Sequence, residues 1–405
     1  MDEASLRYQG WRVAAASGLG VLLSTLPFFA FAVFLRPVAE DLGWSRQAMS
    51  LAYGTMALAA ALTAPLIGTL LDRFEVQHVV VPCVAASGLA LASLAVLTPW
   101  RGHLLAVFAL LGVAAAGSSA LAYTRAVASW FERRRGLALA LVLAGGALGG
   151  IVHPPLGQAL IRWLGWRGAY LVLGGLVLAV SLPVVARFVR QRAPAASAGA
   201  SSSGTSATVR EALRSRPFWL LAAMVFGSTV ASNGVLVHVV ALLTDRGVPA
   251  ERAALALSAL GGASLAGRLL TGWLLDRVAA PRLAVALLVT AALGVFLLSG
   301  APSLAMGVLA AVLIGFGTGG ELDVVPYLLS RYFGLASLST LYGFTWTALG
   351  LAGLTGPLLL GRAFDATGSY EAVLARLAVA TLAVAGLMLA LPPCRPLSLP
   401  EPPAA

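Results

Sequence analysis

Lysine is absent from this 405-residue chain, so its 27 basic residues are all arginine. Charge of any kind is scarce: 11% of residues are charged and 59% are hydrophobic, with a mean hydropathy of +0.90. A soluble domain carries about 25% charged residues, so composition points to a chain immersed in lipid. Two cysteines, Cys83 and Cys394, offer neither a disulfide framework nor a metal spacing, and four scattered histidines mark no zinc site. No metal and no other cofactor is expected. The net charge of +11 does not indicate nucleic acid, because the arginines stand singly or in short clusters between apolar runs, as in loops beside anionic lipid. No nucleophile and base stand out together, so an enzyme is not expected. The opening MDEASLRYQG carries two acids and leads into a long apolar run without a small-residue cleavage site, which argues against a cleaved signal peptide.

What the chain does have is apolar segments. Six fall near 11–35, 47–70, 79–99, 103–124, 137–161 and 168–187, and six more near 218–243, 253–275, 283–300, 303–328, 336–361 and 371–391. Each is at or near the ~20 residues a helix needs to cross a bilayer. The Ser/Ala/Gly-rich APAASAGASSSGTSAT between the two sets reads as a flexible linker. The expected architecture is an all-α membrane protein of 12 spans in two pseudo-symmetric six-helix bundles, residues 1–190 and 217–405, joined by a cytoplasmic linker, 191–216. With both termini inside, sixteen arginines fall on the cytoplasmic side and nine on the other, which the positive-inside rule favours.

One long apolar stretch, residues 255–282, carries a single internal charge, Arg268. At ~1.5 Å per residue it lies roughly 12 Å inside the end marked by Asp276. A guanidinium at that depth costs about 2.5–3.5 kcal/mol on insertion scales, so it should face the protein interior and an anion. A planar guanidinium suits a bidentate carboxylate. The anion is either a visiting substrate or a fixed acid of another span, for which Asp323 is the candidate. Ser264, one turn earlier on the same face, offers a hydroxyl and no permanent charge.

The halves also repeat. Gly68-Thr-Leu-Leu-Asp72-Arg73 after the second span returns 204 residues later as Gly272-Trp-Leu-Leu-Asp276-Arg277. Glycine there would permit close helix approach, and the Asp and Arg would latch the halves on the cytoplasmic side. Ser129-Trp130-Phe131 has its counterpart in Arg331-Tyr332-Phe333. Parallel repeats related by an axis along the membrane normal place a substrate cavity at their interface, near mid-membrane.

The paired GTLLDR and GWLLDR turns with the six-plus-six layout resemble the major facilitator superfamily over nearly the whole chain. Four stretches resemble its monocarboxylate transporter and oxalate/formate antiporter group: Gly10-Trp11; the run from Trp130 through Glu132, Arg133, Arg134 and Arg135 to Ala138, with Ala144-Gly145-Gly146; Ala266-Gly267-Arg268; and Gly320-Glu321-Leu322-Asp323. The resemblance implies transport of small carboxylates, with Arg268 in the place of the arginine that binds the substrate carboxylate. The mammalian members' aspartate one turn before it is Ser264 here, and the family's first-helix and eleventh-helix lysines have no counterpart. A second fixed positive charge for a dicarboxylate is therefore missing, and a monocarboxylate fits.

Other polar residues in apolar spans complete the candidates. Glu321 and Asp323 follow Gly317-Thr-Gly-Gly320, a run expected to loosen or break the tenth span where it lines the cavity. An acid there is a natural proton carrier, since desolvation favours the neutral form of a carboxyl whereas arginine cannot deprotonate. Two residues apart on a helix, at most one of the pair faces the cavity. His238 is a further proton-coupling candidate by its near-neutral titration, with an interior hydrogen-bonding role as the alternative; the same holds for His153, ahead of Pro154-Pro155. Tyr123, Tyr327 and Asn233 are candidates to hold the substrate's polar groups, or else pack and hydrogen-bond locally.

The function expected is a secondary active transporter of small monocarboxylates of lactate or pyruvate size, with proton symport by alternating access. An organic-anion exchanger would use the same Arg268 without net proton movement, and a proton-driven drug exporter would need an acid in a large apolar cavity and no Arg268. The expected partners are the monocarboxylate, a proton and the lipid bilayer, without nucleic acid. A monomer in a bacterial inner membrane is expected.

Overall fold

The computed structural model describes residues 5, 8–131, 134–191, 209–275, 277–301, 303–333 and 338–392. Of the positions singled out above, Arg7, Glu132, Arg133, linker residues 192–208, Asp276, Cys394, Arg395 and the side chains of Asp72, Arg135 and Leu322 lie outside the described residues. All regular elements among the described residues are helical.

Eleven helices are long and apolar enough to cross a bilayer. They are α1 (Gln9–Leu42), α2 (Arg46–Leu71), α3 (Val76–Val96), α4 (Arg101–Ala128), the 52-residue run Leu137–Phe188, α7 (Arg216–Asp245), α8 (Ala250–Leu275), α9 (Ala280–Ser299), α10 (Leu304–Phe333), α11 (Leu341–Thr367) and α12 (Glu371–Met388). The 52-residue run is two spans. Gly165 interrupts it with φ 69° and ψ 170°, a left-handed value that glycine alone adopts freely. Residues 137–164 are α5 and 166–188 are α6, which makes twelve.

α1 outruns its expected end at residue 35. Arg36-Pro37 continues as helix to Leu42, and Gly43 closes it with φ 63°. Proline 37 costs one backbone bond, but Arg36 and Glu40 pair one turn apart at 2.6 Å across it. Midway, Pro27 deprives the helix of another donor, and a turn at Thr25 joins two straight segments.

The glycine run of α10 does not break that helix, contrary to expectation. α10 stays helical through Gly317-Thr-Gly-Gly320 because its glycines receive a neighbour's backbone. A Cβ on Gly315 would stand 2.1 Å from the Leu260 carbonyl oxygen, and one on Gly319 2.1 Å from that of Ser264. From the other side, a Cβ on Gly267 would stand 2.2 Å from the Phe316 carbonyl oxygen. In lipid, where no hydrophobic force drives helices together, such close backbone contact is what holds them. Gly319→Ala therefore forces α8 and α10 apart and lowers stability by about 1–3 kcal/mol. Thermal unfolding of the purified protein will read this as a lower midpoint, whereas Gly386→Ala, where a Cβ meets nothing within 4 Å, leaves it in place.

The two halves meet along α2 against α11 and α5 against α8. Gly350 faces Ala61, Gly54 faces Leu354, and Gly150 and Gly261 touch backbone to backbone. Shifting each span number by six turns one contact into the other, the spatial counterpart of the sequence repeat. Large apolar side chains such as Leu62, Trp163, Leu269 and Phe296 point outward, as a lipid-facing surface allows.

Candidate functional site

A cavity of about 190 Å³ opens between the halves. Its walls come from α7 (Thr229, Ser232, Asn233), α8 (Leu260, Ser264), α10 (Thr318, Glu321) and α11 (Tyr342, Thr345, Trp346), while Phe29 of α1 closes the remaining side. Polar side chains reach this depth because each sits on a helix face that meets another helix, so lipid is excluded. Ser264, Asn233 and Glu321, singled out in the sequence, line the cavity. Asn233 also accepts a hydrogen bond from the Tyr53 hydroxyl of α2 at 3.1 Å, a bond between halves. Glu321 is 6% exposed, and among the described residues its Oε1 has no hydrogen-bond partner.

Arg268 lies one helical turn from Ser264, toward the face that carries the chain termini. Its Nε donates to both carboxylate oxygens of Asp323, at 3.0 and 3.2 Å. The pair is only part-buried, with side chains 41% and 29% exposed. Among the described residues no acceptor meets its Nη1 or Nη2, so the fork of the guanidinium is open. Neither Arg268 nor Asp323 is among the residues that line the cavity, whereas Tyr342, which is, interacts electrostatically with both.

The other candidates lie elsewhere. Tyr123 is fully buried against Gly20 of α1, with no partner for its hydroxyl among the described residues. Tyr327 turns its hydroxyl to Arg331, which donates to it from Nε at 3.3 Å and Nη2 at 3.0 Å. His153 is 2% exposed on α5, with both ring nitrogens unpartnered among the described residues. At the repeated turn, a Cβ on Gly68 or Gly272 would meet nothing within 4 Å, so neither glycine serves a close approach in this conformation. Arg277 folds back, donating to the Trp273 carbonyl at 2.8 Å and lying 4.0 Å over its ring. Arg73 is exposed.

His238 belongs to a network that the sequence did not suggest, on the face opposite the termini. Arg46, at the start of α2, grips Asp245 at the end of α7 with two hydrogen bonds of 2.6 and 2.8 Å. It also donates to the Tyr370 hydroxyl and lies 3.7 Å over the Phe364 ring. Asp365, at the end of α11, accepts from the backbone N–H of Arg46 and Gln47, capping α2 from the other half of the molecule. Behind this, His238 Nδ1 is 3.0 Å from the Tyr370 hydroxyl, and Nε2 meets the Pro357 carbonyl at 3.1 Å and Ser50 Oγ at 2.9 Å. A carbonyl only accepts, so Nε2 carries the hydrogen and Nδ1 receives that of Tyr370. Burial pushes the Tyr370 phenol above its ordinary value against the pull of Arg46, which keeps it a neutral donor. The signal available in the sequence was an arginine opening one span and an acid closing each of two others, but nothing local pairs them.

The profile of the Major Facilitator Superfamily matches residues 18–357. The chain is 29% identical over 391 residues to monocarboxylate transporter 11 of Homo sapiens, spanning 90% of this chain and 79% of that protein. To monocarboxylate transporter 13 of Bos taurus it is 30% identical over 319 residues, 77% of this chain and 73% of the other. Among solved structures, a bacterial homolog of the human lysosomal transporter Spinster, inward-facing and unoccupied, superposes with a TM-score of 0.74 at 19% identity, covering 95% of this chain and 94% of that one. At that identity the likeness concerns the fold.

Proposed function

Since the chain belongs to the major facilitator superfamily, whose members are transporters and not enzymes, we propose that it carries a small monocarboxylate across the membrane together with a proton. The observation that carries this reading is the half-engaged Arg268. One donor holds Asp323, and the open Nη fork faces no fixed acceptor among the described residues. The similarity to proteins named monocarboxylate transporters supports the same substrate class, of lactate or pyruvate size.

The proton follows from charge balance. Arg268 and Asp323 together are neutral, so an arriving carboxylate adds an uncompensated negative charge. Two carboxylates about 4 Å apart repel by about 4 kcal/mol at an effective dielectric of 20. A proton on Asp323 removes that repulsion and frees Nε to join the Nη atoms in holding the substrate. We assign the proton to Asp323, with Glu321 as the alternative acceptor. His238, with both ring nitrogens engaged, fits a tie between halves better than a carrier. The neutral, loaded site then permits the two halves to rock about it. Ser264 and Asn233 would hold the substrate's polar groups, with Tyr123 and Tyr327 joining in another conformation.

In this reading the rocking bodies are residues 1–190 and 217–405, with 191–216 as the cytoplasmic linker. The arginine bias puts both termini inside, in a bacterial inner membrane, and the protein acts as a monomer. Gly68, Asp72 and Arg73 with Gly272, Asp276 and Arg277 form the cytoplasmic gate that closes when the outer face opens. The experiment is lactate uptake into proteoliposomes with and without an inward proton gradient. Wild type is accelerated by the gradient, and Asp323→Asn is indifferent to it. Uptake by wild type that ignores the gradient and depends on a carboxylate inside establishes exchange instead.

A further inference from the structure

The proposed carboxylate mechanism, with Asp323 as proton acceptor, leaves the cavity's own carboxyl unused. Glu321 is more than nine-tenths buried, it lines the cavity, and its Oε1 has no partner among the described residues. Ser228 approaches the same carboxyl but leaves that oxygen unsatisfied. A buried acceptor without a donor is expensive to hold, and in a cavity the missing donor is naturally the ligand.

The rest of the lining narrows what that donor is. Among the described residues no arginine or histidine lines the cavity, which carries an acid and no base. Phe29, Tyr342 and Trp346 add three aromatic rings, whose faces are negative. A carboxylate placed there would be repelled by an ionised Glu321 and by the faces of the rings. An ammonium group is attracted by both, through a charge-assisted hydrogen bond and through cation–π contact. The positive charge for a carboxylate lies at Arg268, one turn along α8 from the lining residue Ser264.

We infer that the substrate is an amino-bearing monocarboxylate, with its protonated amine on Glu321 in the cavity and its carboxylate on the open fork of Arg268. This rests on the carboxylate reading and extends it, because it gives the site two ends of opposite sign. The aromatic rings then flank the organic part of the molecule.

The test is isothermal titration of the purified full-length protein with two matched sets: propionate, lactate and alanine, and their phenyl counterparts 3-phenylpropionate, phenyllactate and phenylalanine, with phenethylamine alongside. In at least one set the amino acid binds about 10-fold or more tightly than the acid lacking the amine, and the hydroxy acid gains no such advantage. Glu321→Gln erases that ratio. Equal binding of amino and des-amino acids by wild type overturns the inference, and so does a hydroxy acid that matches the amino acid. These comparisons need no variant and stand even where Glu321→Gln misfolds. If the des-amino acids bind and Arg268→Ala abolishes it, the carboxylate reading survives that loss. Binding of phenethylamine alone, indifferent to Arg268→Ala, overturns the carboxylate reading and the two-ended substrate together, and so does binding by none of the compounds.

Discussion

Arg268→Ala abolishes carboxylate binding and leaves the twelve-span fold standing. The guanidinium fork contributes two charge-assisted hydrogen bonds to a bound carboxylate, at about 1.5–3 kcal/mol each, so affinity falls roughly 100-fold or more. The substitution has a second effect that the geometry makes separable. Asp323 loses the Nε donor it accepts from at 3.0 and 3.2 Å, and a part-buried acid is left without its cation. Stability drops for that reason alone. Adding Asp323→Asn removes the stranded charge, so the double variant recovers the wild-type unfolding midpoint while still failing to bind. Titration calorimetry and thermal unfolding of the same samples read the two effects side by side. If Arg268→Ala binds lactate-sized monoanions within about two-fold of wild type, the ion pair with Asp323 is structural and the substrate anion is held elsewhere.

Arg46→Ala opens the face opposite the termini. Arg46 is held by Asp245, Tyr370, Phe364 and, through its backbone N–H, Asp365, all from the second half. Its side chain is largely enclosed, 12% exposed, so the bidentate pair escapes most of the screening that makes surface ion pairs weak. Removing one partner of such a pair costs about 2–5 kcal/mol, and each 1.4 kcal/mol shifts a two-state equilibrium tenfold. The closed conformation should therefore lose its dominance. A cysteine placed at Leu236, in the cavity wall, with Cys83 and Cys394 replaced, reports this directly. Membrane-impermeant maleimide added on the side opposite the termini labels it at least about tenfold faster in Arg46→Ala than in wild type. Transport slows in the same variant, because a carrier held open on one side completes fewer cycles. An unchanged labelling rate would mean that the gate is held by the α2–α11 and α5–α8 packing and that the ion pair is dispensable.

The spans were legible because lipid leaves the chain little choice: every backbone group must bond within its own helix, so each crossing is a continuous apolar run. Ser264, Asn233 and Glu321 were legible as polar residues in such runs, since only a protein interior or a cavity tolerates them. The direction in which a hydroxyl faces was not. Tyr123 and Tyr327 read alike in sequence, yet one is sealed against Gly20 and the other turned to Arg331. Glycine was ambiguous for a related reason. The run at 317–320 reads as a helix breaker by propensity, but in lipid the space of its missing side chains is filled by Ser264 and Thr271 of α8 and Leu287 of α9, and packing overrides propensity. The Arg46 latch was invisible because its partners lie 199 and 319 residues away along the chain. Arg268 was legible as a charge in need of an anion, while the choice between Asp323 and a visitor depended on the fold, which sets Asp323 on one edge of the group and, among the described residues, no acceptor on the fork.

The walls of the cavity are unevenly shared: among the described residues, Phe29 alone represents the first half. A cargo seated there is a passenger of the second half, travelling with it through each swing. The first half then acts as a shutter that sweeps past, and its sequence governs how quickly the door moves. In this conformation discrimination between one passenger and another falls to the basket formed by α7, α8, α10 and α11.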